Sequence, residues 1–277
     1  MRTPADVVFI YPGYAGMVRW LINVLSRKKQ VRLVCYIGDI DGIKDGNAVQ
    51  LLKDINALNR FTHFIVHNAA MQRWLMQYVP GSVSGVINFF DFLAQPVRRD
   101  VDPGPYHSIC FAGNLTKSGF LRHLHTLPQA IQFHIYGPGG EAISPQPNVV
   151  SYGVFTPYEL PAKVEGQFGL VWDGESITGP GGSLGEYMKY ISHHKLSLYI
   201  LAGLPLIVPS FAASAALVEK LGIGIAIDSL EQLAARIQAV DAVTYQHMQK
   251  NMQPVAERIS SGGCIIEALR ALPDQGI

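Results

Sequence analysis

Residues 179–209 read GPGGSLGEYMKYISHHKLSLYILAGLPLIVP. A glycine-rich loop runs into a short polar and aromatic segment, and then into a helix followed by a strand. Ser192 is a helix-capping residue type, and Lys195 and Ser197 fall in the first helical turns. Leu196, Tyr199 and Ile200 recur at helical spacing, Gly203 is placed to end the helix, and Leu204–Val208 reads as a buried strand. The first N–H groups of a helix lack internal partners, and the helix dipole favours negative charge there. Lys195 adds an ammonium and Ser197 a hydroxyl. The stretch reads as a cradle for a diphosphate. The plainer alternative is a glycine turn before an ordinary amphipathic helix.

The same strand–turn–helix rhythm extends to both sides. Upstream, strands are expected at 7–11, 31–37, 64–66 and 83–89, the first of them fully buried. Helices fall at 17–28, 47–59 and after His67-Asn68. Residues 95–107, QPVRRDVDPGPYH, combine prolines, glycine and charge without periodicity, and read as a linker. Beyond it, strands are expected at 108–111, 131–136, 149–152, 168–172, 204–208 and 223–227. Helices alternate with them at 118–126, 157–164, 185–190, 193–202, 212–221 and 229–240. Ser229-x-x-Gln232 has the form of a capping box. Two helices, 242–259 with a kink at Pro254 and 263–272, close the chain. The fold class is α/β: two doubly wound, Rossmann-like parallel-sheet domains facing a cleft. The expected division is a first domain over 1–98, a second over 99–250, and C-terminal helices over 251–277 that return to the first domain.

Composition narrows the function. Hydrophobic residues make up 48% of the 277 and charged residues 16%, as in a well-buried globular chain. A net charge of +1 gives no global field for nucleic acid, so an anionic ligand must be held by local groups. Cys35, Cys110 and Cys264 lie far apart and form no CxxC pair, which fits buried thiols in a reducing compartment. The apolar run at 7–11 is too short for a signal peptide, and Gly203 and Pro205 break the longest apolar run. The expected location is cytoplasmic, with peripheral contact at the inner membrane face and homo-oligomerisation left open. GxxxxGK[ST] and an opening GxGxxG are absent, which disfavours Walker-type hydrolysis and hydride transfer. His123-x-His125 and His193-His194 lack acidic or cysteine partners at metal-ligand spacing, so no metal site is expected.

Ligands of parallel sheets collect beyond the carboxyl ends of the strands. In the first half these ends carry Tyr14–Gly16, Asp39–Asp41 and His67-Asn68. The acidic pair suits a general base, or alternatively a turn whose carboxylates bond nearby groups. In the second half they carry Gly113-Asn114 with Lys117, Gly137–Gly140, Tyr152-Gly153 and Asp173-Gly174. Tyr152, Trp172 or Tyr187 could stack on a base, although such aromatics more commonly pack in cores.

The strings FAGNLTKSGFL, FGLVWDG, GEYMKYISHHKLSLYILAGLPLIVPS and ALVEKLGIGIAIDSLEQL resemble a bacterial family of GT-B glycosyltransferases. That family contains galactofuranosyltransferases of surface polysaccharide synthesis and glucosyltransferases that extend glycans on serine-rich adhesins. VVFIYPGYAG, GDIDGIKDG, FIVHNAAMQRWL and INFFDFLAQP are similar to its acceptor-side domain. The resemblance implies a UDP-sugar donor, a saccharide or glycolipid acceptor and no cofactor or metal. It implies donor contacts from Lys117, Tyr152, Gly153, the run Met188–Ser192 with Lys189 and Tyr190, Lys195 and Ser197; the strand ends and the opening stretch add Gly16, Gly113, Asn114, Asp173, Tyr187, His193 and His194 as candidate substrate-binding residues. The Trp172-Asp173-Gly174 form and the EYMKY run look more like the galactofuranosyl branch than the glucosyl one. Two departures stand out. The chain starts one β-α unit into the family's pattern, and Gly38 stands where the family commonly has His before Asp-Ile. Asp39 and Asp41 therefore become the candidate base, with Lys195 as the charge-stabilising catalytic group. A non-catalytic partner subunit that keeps the fold is the alternative of another class, and a sugar-nucleotide epimerase a third.

Overall fold

The computed structural model describes residues 5–13, 16–99, 104–143 and 145–273. Tyr14 and Ala15 of the first expected turn, and residues 100–103 of the expected linker, lie outside the described residues. The chain forms two compact units, residues 1–88 with 264–277 and residues 89–263. The division therefore follows Asn88, not residue 98. Asn88 takes a positive φ of 61°, a conformation that asparagine tolerates better than most residues. The stretch expected to be a free linker is strapped to the second unit. Val97 N–H donates to Leu201 O at 2.7 Å, and Arg99 Nε donates to Ala202 O at 2.6 Å.

The first unit alternates β1 (Ala5–Tyr11), α1 (Gly16–Leu25), β2 (Val31–Ile37), α2 (Asp41–Lys44), α3 (Ala48–Leu58), β3 (His63–Val66), α4 (Ala69–Tyr78) and β4 (Val83–Val86). The four strands are parallel in the order β1-β2-β3-β4, with Ala5 opposite Val31 and Tyr11 opposite Ile37. Asn47 and Asn68 start α3 and α4 by accepting backbone N–H groups of the first turn. β2 and β3 bury nearly every side chain, as their unbroken apolar runs require. β1 does not, contrary to expectation. It is an edge strand, and Val8 and Ile10 on one of its faces are exposed. Asp54 is fully buried and fully used. It accepts from the Tyr11 hydroxyl (2.7 Å), Gly42 N–H (2.7 Å) and Gln50 Nε2 (2.6 Å), tying the end of β1 to α2 and α3.

The second unit contains β5 (Ser108–Ala112), β6 (Gln132–Tyr136), β7 (Val149–Ser151), α5 (Leu160–Lys163), β8 (Phe168–Leu170), α6 (Gly182–Tyr187), α7 (His194–Leu201), β9 (Leu206–Pro209), α8 (Ala215–Leu221), β10 (Gly224–Ile227), α9 (Leu233–Gln238) and α10 (Ala242–Ser260). The segment expected to be helical at 118–126 is a 3₁₀ helix, Gly119–Thr126, and Leu230–Gln232 is a 3₁₀ turn. Ser229 Oγ accepts from Glu231 N–H, while Gln232 Oε1 accepts from Asp228 N–H. The capping box is thus made with a shift of one residue. α10 runs through Pro254, and α11 (Gly263–Arg270) belongs to the first unit.

The six strands of the second unit are parallel in the order β10-β9-β8-β5-β6-β7. The chain winds outward from β5 in one direction through β6 and β7, and in the other through β8, β9 and β10. The order reverses between β5 and β8, and this is where an open α/β sheet leaves a crevice for a ligand. Ile109, Phe111, Phe133, Phe168, Leu170 and Ile207 are completely buried beneath that crevice. At about 1.5–3 kcal/mol for each such side chain, they hold the strand ends in place.

Candidate functional site

The site grows out of two strand ends at the reversal point. β5 leaves the sheet at Ala112-Gly113, and β8 leaves it at Trp172-Asp173. α7 lies over both. The helix is held by side chains that grip backbone. The Tyr199 hydroxyl accepts Ala112 N–H at 2.8 Å, and Tyr199 lies against Gly169 of β8. The Ser197 hydroxyl donates to Phe90 O at 2.7 Å in a fully enclosed position. Ser197 therefore clamps the helix from behind and is not a ligand group of the cradle, which corrects the reading from spacing. The N-cap of α7 is His193, not Ser192. Its backbone is extended and makes no side-chain cap bond, and Ser192 is buried one residue upstream.

Lys195, in the first turn of α7, reaches back over the end of β5. Its stem passes so close to Gly113 that a Cβ there would sit 3.0 Å from Lys195 Cε. Its ammonium lies 4.9 Å above the Phe111 ring, donates to Asp173 Oδ1 at 2.7 Å and approaches Trp172 O at 3.4 Å. The other Asp173 oxygen takes His193 Nε2 at 2.9 Å. Burial works against a charge on Asp173. The Lys195 ammonium and the His193 ring outweigh it and hold the carboxyl well below the usual carboxylate range. A carboxylate accepting from Nε2 sets the histidine tautomer. His193 Nδ1 is buried and has no hydrogen-bond partner among the described residues.

Beside this cluster opens a cavity of about 570 Å³, lined by Gly113, Gly137, His193, His194 and Lys195 at one end. Phe92, Val154, Phe155, Leu160 and Leu198 are among its apolar lining. Gly137 has φ +135°, and a Cβ on it would fall 1.8 Å from Gly113 O. Two strand ends can approach this closely only without side chains. Gly137 N–H donates to Gly153 O at 2.8 Å, which brings the end of β7 into the same rim. Tyr152 stacks on Tyr136 with ring centroids 4.7 Å apart, and His134 Nδ1 lies 2.9 Å from its hydroxyl.

The structure thus brings Gly113, Gly153, Asp173, His193, His194 and Lys195 together, with Tyr152 at the margin. Asn114 caps the 3₁₀ turn Leu115–Lys117 by accepting Lys117 N–H at 3.2 Å. The Lys117 side chain is exposed, makes no ion pair among the described residues and does not line the cavity. Tyr187 and Trp172 are core residues, and Trp172 Nε1 donates to Ser176 O at 2.8 Å. Neither can stack on a base. Lys189 is paired with Glu186 at 2.6 Å, and Tyr190 is half-buried beside it.

Gly16, Asp39 and Asp41 belong to the first unit. Gly16 begins α1 with open space around it. Asp39 and Asp41 hold Lys44 Nζ at 2.9 and 3.0 Å, the arrangement of a strand-ending turn. Burial opposes the Lys44 charge, but the two carboxylates raise its pKa. Sequence reasoning missed the apolar wall made by Phe155, Leu160 and Leu198, and the clamping role of Tyr199. Strong apolar periodicity marks such residues only as buried.

Solved structures share this fold. TarM of S. aureus, in a complex containing UDP, superposes with a TM-score of 0.60 at 14% identity, over 90% of this chain and 52% of its own. Anabaena HepE in complex with UDP gives 0.60 at 17%, over 88% and 73%. Two parallel α/β units of this kind define the GT-B class of glycosyltransferases. Residues 109–272 match the glucosyltransferase 3-like C-terminal domain, and residues 3–79 match the corresponding N-terminal domain. The chain belongs to the glucosyltransferase 3-like family of bacterial glycosyltransferases. Its relatives include the β-1,6-galactofuranosyltransferase WbbI of Escherichia coli, 26% identical over 92% of this chain and 75% of that protein. Glucosyltransferase 3 of Streptococcus gordonii is 31% identical over 57% of this chain and 47% of its own length.

Proposed function

We propose that this glycosyltransferase moves a galactofuranosyl group from its UDP-sugar to a saccharide acceptor of a cell-surface glycan. The observation that carries the reading is the Lys195–Asp173 cluster at the strand reversal, above Gly113 and open to a cavity of about 570 Å³. In the reaction an acceptor oxygen bonds to the anomeric carbon while the bond from that carbon to the diphosphate oxygen breaks. The electron pair leaves with UDP, and the proton of the acceptor hydroxyl passes to solvent water. The negative charge that grows on the diphosphate is the feature to be stabilised. Lys195 and the N–H groups at the start of α7 stabilise that charge, with Asp173 holding the ammonium in position. The reading assigns the task to protein groups, so turnover should survive a chelator.

Two or three charge-assisted hydrogen bonds at about 1.5–3 kcal/mol each, with a helix end adding about 0.3–1, approach the roughly 8 kcal/mol of micromolar binding. The apolar wall of the cavity supplies the rest by enclosing the nucleoside. The galactofuranosyl choice is supported by the likeness to the galactofuranosyltransferase WbbI, which aligns with 92% of the chain, and by the WDG and EYMKY strings. Titration calorimetry with UDP, UDP-galactofuranose, UDP-galactopyranose and UDP-glucose tests it. Tightest binding and turnover are expected with UDP-galactofuranose. Preference for UDP-glucose would move the chain to the glucosyl branch, and failure to bind any of the four would remove the donor reading.

A further inference from the structure

The first unit carries a surface that the donor site does not use. α1 and α3 flank a groove of about 460 Å³ on one side of the sheet. Phe9, Ile22 and Phe61 line its apolar part, and Arg19, Lys53 and Arg60 line it with positive charge. Around the groove the outward faces of both helices are apolar where solvent-facing helices are normally polar. Met17 and Trp20 on α1 are 76% and 62% exposed, and Val49 and Leu52 on α3 are 65% and 64% exposed. On α3 the exposed residues Val49, Leu52, Lys53 and Asn56 recur at the spacing of a single helix face.

The charge on this face has one sign. No Asp or Glu occurs between residues 7 and 38, a stretch that includes Arg19, Arg27, Lys28 and Lys29. The one acid of α3 is Asp54, which is buried and bonded to Tyr11, Gly42 and Gln50. The whole chain has a net charge of only +1, so the positive excess of this stretch is balanced by acids elsewhere in the sequence. An exposed apolar face alone would suit another protein. An apolar face interleaved with Arg and Lys, and holding an exposed Trp, matches an anionic lipid interface. There the indole and aliphatic groups enter the headgroup–acyl boundary while the cations meet phosphates.

We propose that the first unit docks on anionic phospholipid through the outward faces of α1 and α3, with Trp20 as the apolar anchor and Arg19, Lys53 and Arg60 against lipid phosphates. The proposal rests on the first unit alone and stands apart from the donor assignment. It is tested by sedimentation of the full chain with phosphatidylcholine vesicles, with and without phosphatidylglycerol. Binding is expected only with phosphatidylglycerol and should weaken as salt rises. Each basic residue near such a surface contributes roughly fivefold to affinity, so an Arg19→Glu/Lys53→Glu double variant should lose at least about 25-fold. Trp74 and Trp172 are buried, so a vesicle-dependent blue shift of tryptophan emission reports Trp20 and should vanish in Trp20→Phe. Thermal unfolding of each variant checks that it is folded. Absence of phosphatidylglycerol-dependent binding at low salt would overturn the proposal. Undiminished binding by the folded double variant would overturn it too. So would self-association in sedimentation velocity that the same substitutions abolish without any vesicle binding, since the face would then be an interface between copies.

Discussion

Each unit pairs a lysine with aspartate just beyond a parallel strand, and the two clusters do different things. In the first unit Lys44 meets Asp39 and Asp41 within a single turn, five and three residues away, and the groups are partly open to solvent. In the second unit Lys195 meets Asp173 across 22 residues of sequence, from a helix onto the neighbouring strand end, with only 13% of the lysine side chain exposed. A local, solvated ion pair stiffens a turn and contributes little. A partly buried pair assembled from distant segments needs the whole fold to hold it, and it lies beside a cavity at the point where the sheet reverses. Residue type does not separate the two clusters. Sequence separation, burial and the adjacent cavity do.

The sharpest way to break this contrast is Lys195→Ala. Loss of one group that stabilises leaving charge lowers kcat by about 10²–10³-fold, read as UDP release from the donor, while the chain stays folded with stability lowered by about 1–3 kcal/mol because Asp173 loses its cation. Unaltered turnover would reduce the second cluster to the status of the first. Gly137→Ala comes next, because its Cβ would meet Gly113 O at 1.8 Å on a backbone with φ +135°. Denaturant unfolding should show a loss of about 2–4 kcal/mol.

Asp173→Asn sharpens the electrostatic half of the comparison and should cost about 1–3 kcal/mol near neutral pH. The native carboxyl titrates below its unfolded value, so its contribution is fully present above the unfolded value near 3.9. It fades as pH falls from there toward the depressed native value. Stability measured from pH 6 downward should therefore fall less steeply in Asp173→Asn than in the parent. An identical slope would place the charge elsewhere. The smallest effect belongs to Lys44→Ala, at under about 1 kcal/mol and with turnover unchanged. Asp39→Asn should be equally silent, and a hundredfold loss of turnover in it would restore the base role that its pairing with Lys44 argues against.

Much of the fold was legible in the sequence, because burial imposes a pattern on neighbouring residues. Val31–Ile37 is a strand over the full range that its apolar run indicates. The helix at 194–201, the glycine at its end and the following strand also appear where their spacing places them. β1 misled because an edge strand and a central one carry the same apolar letters, and only the neighbours present decide which it is. The direction of Ser197 misled because a hydroxyl in the first turns of a helix can face a ligand or a backbone carbonyl. Phe90, more than a hundred residues upstream, settles that choice.

The amino-acid sequence by itself determined the alternation of strands and helices, the glycines at the strand ends and the family to which the chain belongs. These depend on local spacing or on strings that survive as strings. The tertiary structure alone decided that Lys195 rather than Lys117 reaches the strand reversal, that Asp173 and His193 meet there, and that Asp39 and Asp41 turn to Lys44. Those outcomes depend on which distant segments come within hydrogen-bond reach, a property of the packed sheet that no run of neighbouring residues encodes.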